Sequence, residues 1–371
     1  MTPEDLRADI PAAEEGVYLN TGASGPAPRR VVEATTAAVE EHEYVAPSRE
    51  GAYPYAFDAF GKARAAFATF LGVSVDEIAL TQSTADGLAR VATALDWSPG
   101  DVVVHTDLEH PAGRLPWWFL ERRGVERRVL ETSAGRLNLD TLADAVTDAR
   151  LLCLNSITWS HGTQLPVSEV VDVAHEAGCR VLVDAVQSPG QVPVDLDAWG
   201  ADFAVGASHK WLLGPWGAGW LYLNADLTRA VDPPTASYRS VADPSAVDPR
   251  LKETAARFEV GTTSPSSYLG AVEAMATIEA LGPATVEDRI ERLTDRLKTG
   301  LGDLLRSPRG YESGLVTFDT PPGETPEAFV ERAREADVIV RSLPDPAACR
   351  ASVHVFNNAD DVDALLNVIE S

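Results

Sequence analysis

Arg180-Val181-Leu182-Val183-Asp184-Ala185-Val186-Gln187, followed by Asp202-Phe203-Ala204-Val205-Gly206-Ala207-Ser208-His209-Lys210, decides the fold of this chain. Each stretch is an apolar run of strand length that ends in polar residues. Strands apolar on both faces belong to sheets covered by helices on both sides. Working outward, Ile78–Leu80, Val102–His105, Leu151–Asn155 and Trp220–Leu223 repeat the pattern and join Arg180–Val183 and Phe203–Val205 as predicted strands. Thr84–Leu95, Arg114–Arg123, Leu139–Thr147 and Val167–Ala177 carry the helical period between them. Alternation of this kind predicts an α/β domain with a mostly parallel central sheet. Ligands of such sheets gather at the carboxyl ends of the strands. Asp184, Gln187 and the segment Ser208–Lys210 all fall at or just after such ends.

Beyond the sheet the texture changes. Val231–Arg250 holds Pro233, Pro234, Pro244 and Pro249 in a polar stretch and reads as a long surface loop. Ser267–Leu281 and Thr285–Leu305 read as long helices. Gly314–Phe318, Val338–Arg341 and Ser352–Phe356 read as strands, and Asp360–Ile369 as a closing helix. The expected organisation is a large domain over 16–262, with 231–250 as its loop, and a small α+β domain built from 1–15 and 263–371.

At 371 residues and 45% hydrophobic, the chain can bury a sizeable core. It carries 56 Asp plus Glu against 31 Lys plus Arg, a net charge of −25. Such an excess repels nucleic acid and anionic membrane surfaces. The acids are dispersed and arginine largely replaces lysine, which points to a halophilic source, with an ordinary acidic cytosolic enzyme as the alternative. Cys153, Cys179 and Cys349 are scattered and form no CxxC pair, so neither a metal site nor a disulfide framework is indicated. The N-terminus carries no basic-then-apolar signal, and no apolar run is long enough to span a bilayer. The expectation is a cytoplasmic protein.

The chemistry follows from residue types at the strand ends. Only Lys62, Lys210, Lys252 and Lys298 occur, and Lys210 alone sits in apolar surroundings that would lower the pKa of its amine. A lysine of that kind forms a Schiff base with an aldehyde. Asp184 taken alone reads equally as a loop acid or helix N-cap. With Gln187 and Lys210 following, it reads as the partner of a protonated pyridine nitrogen. Thr81-Gln82-Ser83-Thr84-Ala85-Asp86-Gly87 leads a strand into a helix, where free N–H groups and hydroxyls suit a phosphate; a plain Ser/Thr cap looks the same. Together these groups call for pyridoxal 5′-phosphate. Arg350 suits bidentate capture of a carboxylate, with a salt bridge to one of the many acids as the rival reading. His209 either tunes Lys210 or fills the wall beside it.

These segments resemble the class V aminotransferase family, the branch of fold-type I pyridoxal-phosphate enzymes that includes cysteine desulfurases and isopenicillin-epimerase-like proteins. Tyr18–Pro26 is similar to the family's opening segment, Thr81–Gly87 to its phosphate turn, and Asp184, Gln187 and Ser208-His209-Lys210 to its most specific motif. Phe258-Glu259-Val260-Gly261-Thr262 and Cys349-Arg350-Ala351-Ser352 are similar to two further segments. The resemblance implies that Lys210 carries the aldimine and that Asp184 and His209 serve catalysis beside it. It implies that Ser83, Thr84, Ala85, His110, Gln187 and Ser208 surround the cofactor. Arg350 would bind the substrate carboxylate, with Ala23 beside it. Thr262 would reach the phosphate of a neighbouring subunit, because the family site lies across a homodimer interface.

Three departures bear on activity. In Glu109-His110-Pro111-Ala112-Gly113-Arg114-Leu115-Pro116-Trp117, Pro111 falls where the family's second, ring-stacking histidine is expected, leaving His110 either to substitute or to point away. Trp159 stands at a family asparagine. The stretch Ser342–Cys349 is too short for a thiol-bearing loop, and Cys349 reads as structural, which disfavours a persulfide-forming enzyme. The expected activity is an aminotransferase acting on a small amino acid and a keto acid. A carbon–sulfur lyase or desulfurase-like enzyme and an epimerase are alternatives, as is a pyridoxal-phosphate-binding protein without turnover.

Overall fold

The structure, a computed structural model, describes residues 1–371. Twelve strands form in chain order: β1 (Val17–Tyr18), β2 (Ile78–Thr81), β3 (Val102–Thr106), β4 (Glu126–Leu130), β5 (Ala149–Asn155), β6 (Arg180–Asp184), β7 (Phe203–Ala207), β8 (Gly219–Leu223), β9 (Leu315–Phe318), β10 (Val338–Ile339), β11 (Arg341–Pro344) and β12 (Ala347–Ser352). Seven make the central sheet, in the order β2-β8-β7-β6-β5-β3-β4. Only β8 runs against its neighbours. This is the α/β architecture with a mostly parallel central sheet that the alternation of strands and helices predicts.

Burial explains which strands were legible. β2, β3, β6, β7 and β8 are apolar and covered on both faces. β4 escapes the sequence reading because it is the sheet edge: its Glu126 and Arg127 face solvent, so no apolar run marks it. The strand expected at Ser352–Phe356 ends instead at Ser352. Val353, Val355 and Phe356 are apolar because they are buried, not because they pair; the Val353 amide bonds Gly314 O, and His354 Nε2 meets Trp211 O at 2.8 Å.

The small domain contains the antiparallel sheet β11-β12-β9. Its packing departs from the expected division at residues 15/16 and 262/263. The Ser266–Leu281 helix lies on the Arg29–Glu40 and Ala52–Leu71 helices, and Tyr268, Ala271, Met275 and Ile278 join the large core. In the other direction, β1 pairs in parallel with β10, and Leu19 joins the small core. The chain therefore crosses between the two units on either side of the strand ends where the polar residues collect. Val231–Arg250 contains neither helix nor strand.

Candidate active site

A cavity of about 330 Å³ opens at the carboxyl ends of β5, β6 and β7. Asp184 closes β6 and is buried; the Val186 amide donates to its Oδ1 at 3.0 Å. Burial raises the Asp184 carboxyl above its ordinary range, while the nearby Lys210 charge and the Val186 amide work against that. Lys210 follows β7. Burial drags its ammonium down to about 8, with Arg350 and Arg341 assisting and Asp184 opposing. The amine is therefore accessible as a free base near neutrality. Close packing holds this turn: Gly25 N donates to His209 O at 2.8 Å, and a Cβ on Gly25 would lie 2.1 Å from Lys210 O. Only glycine lets the 18–26 segment lie this close to the lysine.

The anion end lies where β2 enters the Thr84–Ala94 helix. Ser83 caps that helix, its Oγ accepting from the Asp86 amide at 3.1 Å. Thr84 Oγ1 is buried and has no partner. Ser83, Thr84 and Ala85 all line the cavity. An orphaned hydroxyl beside a helix N-terminus is the donor set a phosphate takes. With a desolvated lysine and a buried acid across the same cavity, these residues fit pyridoxal phosphate.

His110 lines the cavity and Pro111 does not. Of the two courses left open for His110, substituting for the missing histidine or pointing away, the cavity lining favours the first. Pro111 is the first residue of the Pro111–Leu120 helix, where a missing N–H costs nothing, and His110 caps it, Nδ1 accepting from Ala112 N at 3.2 Å. Burial, then the Lys210 charge, lowers His110 to about 4, so its ring is neutral. His209 also lines the cavity and is lowered to about 4 for the same reasons; its ring lies 5.1 Å from that of Trp216.

Gln187 reaches the cavity with part of its amide engaged: Nε2 donates to Gly22 O at 3.0 Å, and Oε1 accepts from Trp211 Nε1 at 2.6 Å. One Nε2 hydrogen stays available. Ala23 is on the cavity wall. Ser208 is placed elsewhere: it is fully buried, and its Oγ lies 2.9 Å from Pro215 O and 3.1 Å from Ala218 O, away from the cavity lining. Thr262 is also outside this cavity. It is exposed, in left-handed backbone at φ 59°, with its amide and hydroxyl on Tyr238 Oη.

Arg350 lies inside β12, fully buried. Its Nη1 donates to Trp159 O at 2.8 Å, while Nε and Nη2 have no partner. Burial, then the neighbouring Arg341 charge, lowers its guanidinium to about 9, which leaves it a cation at neutral pH. Sequence reasoning assigned no role to Arg341, Asn155 or Trp216, which also line the cavity. The three cysteines are buried and free. Cys349 Sγ lies in β12, 3.6 Å from Pro326 O, and burial pushes its thiol up to about 12. No helix is long and apolar enough to cross a membrane.

Comparison with known proteins agrees with this geometry. Residues 17–365 match the sequence profile of the family described as aminotransferase class-V. A probable cysteine desulfurase of Methanothermobacter thermautotrophicus is 31% identical, over 100% of this chain and 98% of that protein. The apo cysteine desulfurase of Thermococcus onnurineus NA1 superposes with a TM-score of 0.91 at 28% identity, covering 100% of this chain and 98% of that one. The cystine C–S lyase C-DES, solved with its reaction product cysteine persulfide, gives a TM-score of 0.91 at 27% identity over 96% of this chain and 98% of that one. The chain belongs to the class V aminotransferase family, and it is a pyridoxal-phosphate-dependent enzyme of that family.

Proposed function

We propose that this enzyme is a carbon–sulfur lyase that cleaves the Cβ–S bond of a small sulfur-substituted amino acid without using a thiol of its own. The observation that carries the reading is the β11–β12 hairpin. Where a desulfurase needs a mobile cysteine, the chain turns in two residues, Asp345 and Pro346, and the only nearby sulfur is locked inside β12. Such a lyase needs a lysine base, a carboxylate anchor and an acid under the ring, and Lys210, Arg350 and Asp184 fill those roles. The likeness to a cystine C–S lyase supports the same reading.

Pyridoxal phosphate, when bound, supplies the electron sink for the pair released at the substrate α-carbon. Arg350 takes the α-carboxylate on its two free nitrogens and orients the Cα–H bond. The free amine of Lys210 removes the α-proton, and Asp184 would hold a proton on the cofactor's pyridine nitrogen. Thr84 Oγ1 and the first-turn amides would hold the cofactor's phosphate. The Cβ–S electron pair leaves on sulfur; with one water the products are a thiol, pyruvate and ammonia. Positioned proton transfer of this kind contributes roughly 10²–10⁴-fold.

Transamination, the reaction the sequence put first, uses the same Lys210 and Asp184 but requires a keto-acid co-substrate. The decisive measurement is release of pyruvate and cysteine persulfide from L-cystine by the pyridoxal-phosphate-loaded enzyme with no keto acid added. Amino-group transfer that depends on a keto acid, with no persulfide released, would replace the lyase with the aminotransferase.

The reading includes a homodimer. Tyr44, Tyr53 and Phe57 are exposed by 77%, 58% and 47%. Tyr53 meets Phe57 at 6.1 Å and Tyr238 at 6.2 Å, and the Tyr238 hydroxyl touches Thr262. A second copy covering this aromatic face would place Thr262 beside the partner's phosphate end.

A further inference from the structure

The Pro111–Leu120 helix buries Gly113, Trp117 and Leu120 on its inner face. A helix packed in this way ordinarily turns polar side chains to water. Here the outer side carries Leu115, Trp118 and Phe119, exposed by 56%, 48% and 52%. Their spacing of three and four residues makes them neighbours on the helix surface. The edge strand β4 adds Arg127 and Val129, two residues apart and so on one face of the sheet, both exposed. Arg127 shares a cleft of about 300 Å³ with Arg114, Leu115 and Trp118.

The charge of this face is opposite to that of the molecule. Residues 111–130 hold five arginines and two glutamates, in a chain of net charge −25. Arg127 Nε pairs with Glu121 at 2.9 Å. No acid of the chain meets Arg114, Arg122 or Arg123, although there are 56. Arg122 lies instead over the rings of Trp118 and Phe119, 5.6 and 5.1 Å from their centroids. Bare aromatic rings beside unpaired guanidinium groups have the composition of an interface centre, where tryptophan and arginine carry most of the binding energy. A homodimer built on Tyr53 and Thr262 leaves this face open. The segment leading to Thr262 packs on β2, Glu259 Oε1 accepting from Leu80 N at 3.0 Å, and β2 and β4 are opposite edges of the central sheet.

We infer that this face docks a short acidic segment of a different protein, in which Asp or Glu flank an aromatic or aliphatic side chain. The apolar side chain enters the cleft against Leu115 and Trp118, and the flanking carboxylates meet Arg114 and Arg127 on its two sides. A second copy of this chain does not suit the face. A two-fold contact would set the same arginines against themselves, and like charges repel. A nucleic acid or an anionic membrane extends past the patch and onto the acidic surface around it, whereas a short segment touches the arginines alone.

The test selects short peptides from a random library on the pyridoxal-phosphate-loaded protein and measures those recovered by fluorescence anisotropy. Peptides rich in Asp and Glu with Phe, Trp or Leu between them should be recovered. Their affinity should fall about 30-fold in Trp118→Ala, as for the centre of an interface, and at least about 10-fold in Arg114→Glu, where a charged hydrogen bond is lost. Both side chains face solvent, and unchanged cofactor absorbance checks that each variant is folded. Recovery of neutral or basic peptides, or acidic ones that bind both variants as well as the unmodified protein, would overturn the inference. So would recovery of no peptide that depends on Trp118. Tighter Trp118-dependent binding of an oligouridylate or of phosphatidylglycerol vesicles would replace the protein partner with a nucleic acid or a membrane. A change of mass in sedimentation on Trp118→Ala would replace it with a second copy of this chain.

Discussion

Arg350→Met should make the substrate-free enzyme more stable and the catalyst far worse. Arg350 is fully buried, yet only one of its nitrogens is bonded, to Trp159 O at 2.8 Å; Nε and Nη2 are orphaned. Each unmet buried donor costs about 1–3 kcal/mol, and more when charged. Methionine removes both while keeping much of the volume, but it leaves the Trp159 carbonyl unpaired, so the balance favours the variant by about 1–3 kcal/mol. Thermal unfolding should register this as a rise of several degrees. The substrate pays back what Arg350 costs: its carboxylate supplies the missing partner, so removing the guanidinium should cost about 2–5 kcal/mol in kcat/KM, roughly 30- to several thousand-fold. The assay is scanning fluorimetry without amino acid, paired with steady-state kinetics on a sulfur amino acid. A lower Tm together with an unchanged KM would show that Arg350 holds the small domain together and has no part in binding.

Borohydride treatment of the pyridoxal-phosphate-loaded protein should leave the cofactor mass on Lys210 and on no other lysine; Lys210→Ala should leave none, and label on Lys252 would refute the assignment. Pyridoxal-phosphate uptake by the cofactor-free protein should speed up with pH through about 8, where Lys210 loses its proton, read as the rate of absorbance change on mixing; a rate flat across that window would refute the depressed amine. Glu109 is fully buried, accepts from Thr106 Oγ1 at 2.7 Å and Asn155 N at 3.1 Å, and feels Asp184; burial raises it to about 8. A raised carboxyl gives stability that is complete below about 4.5 and lost as pH climbs to about 8. Glu109→Gln should flatten that loss, and denaturant midpoints across the window that match the unmodified protein would refute it. Tyr53→Asp should shift the protein from dimer to monomer in sedimentation; a dimer that persists would move the interface off this face.

The legible parts of this molecule are those whose chemistry is local in the chain. Asp184, Gln187 and Lys210 announce themselves because buried strands of a parallel sheet are apolar along their whole length, so a polar residue at the end stands out. Ser83 and Thr84 were visible for a similar reason, since a strand entering a helix needs a cap. Ser208 carried the motif but spends its hydroxyl on Pro215 O and Ala218 O, a contact that forms only when the 214–219 turn folds back. The direction of His110 stayed open in the sequence because it depends on the helix start: Pro111 opens the helix and His110 caps it, which sets the ring on the cavity wall.

Arg341 was hidden for a deeper reason. Nine positions separate it from Arg350, a spacing that means nothing in an extended or helical chain. It becomes a pairing only because the hairpin turns at Asp345 and Pro346, which makes Arg341 and Arg350 cross-strand partners on one face. Had the turn slipped by one residue, the strand period of two would have sent Arg341 to the opposite face from the cavity. The turn that leaves no room for a desulfurase thiol is thus the same one that brings Arg341 to the cavity wall beside Arg350. Lengthening the turn by inserting two glycines between Asp345 and Pro346 should therefore separate the two arginines: binding of butyrate, which needs Arg350 held in β12 by β9, should survive, while the pH at which pyridoxal-phosphate uptake speeds up should rise, because Arg341 no longer helps to depress the Lys210 amine. An unchanged pH profile would mean that Arg341 is placed by Trp159 alone and that the register of the hairpin is incidental.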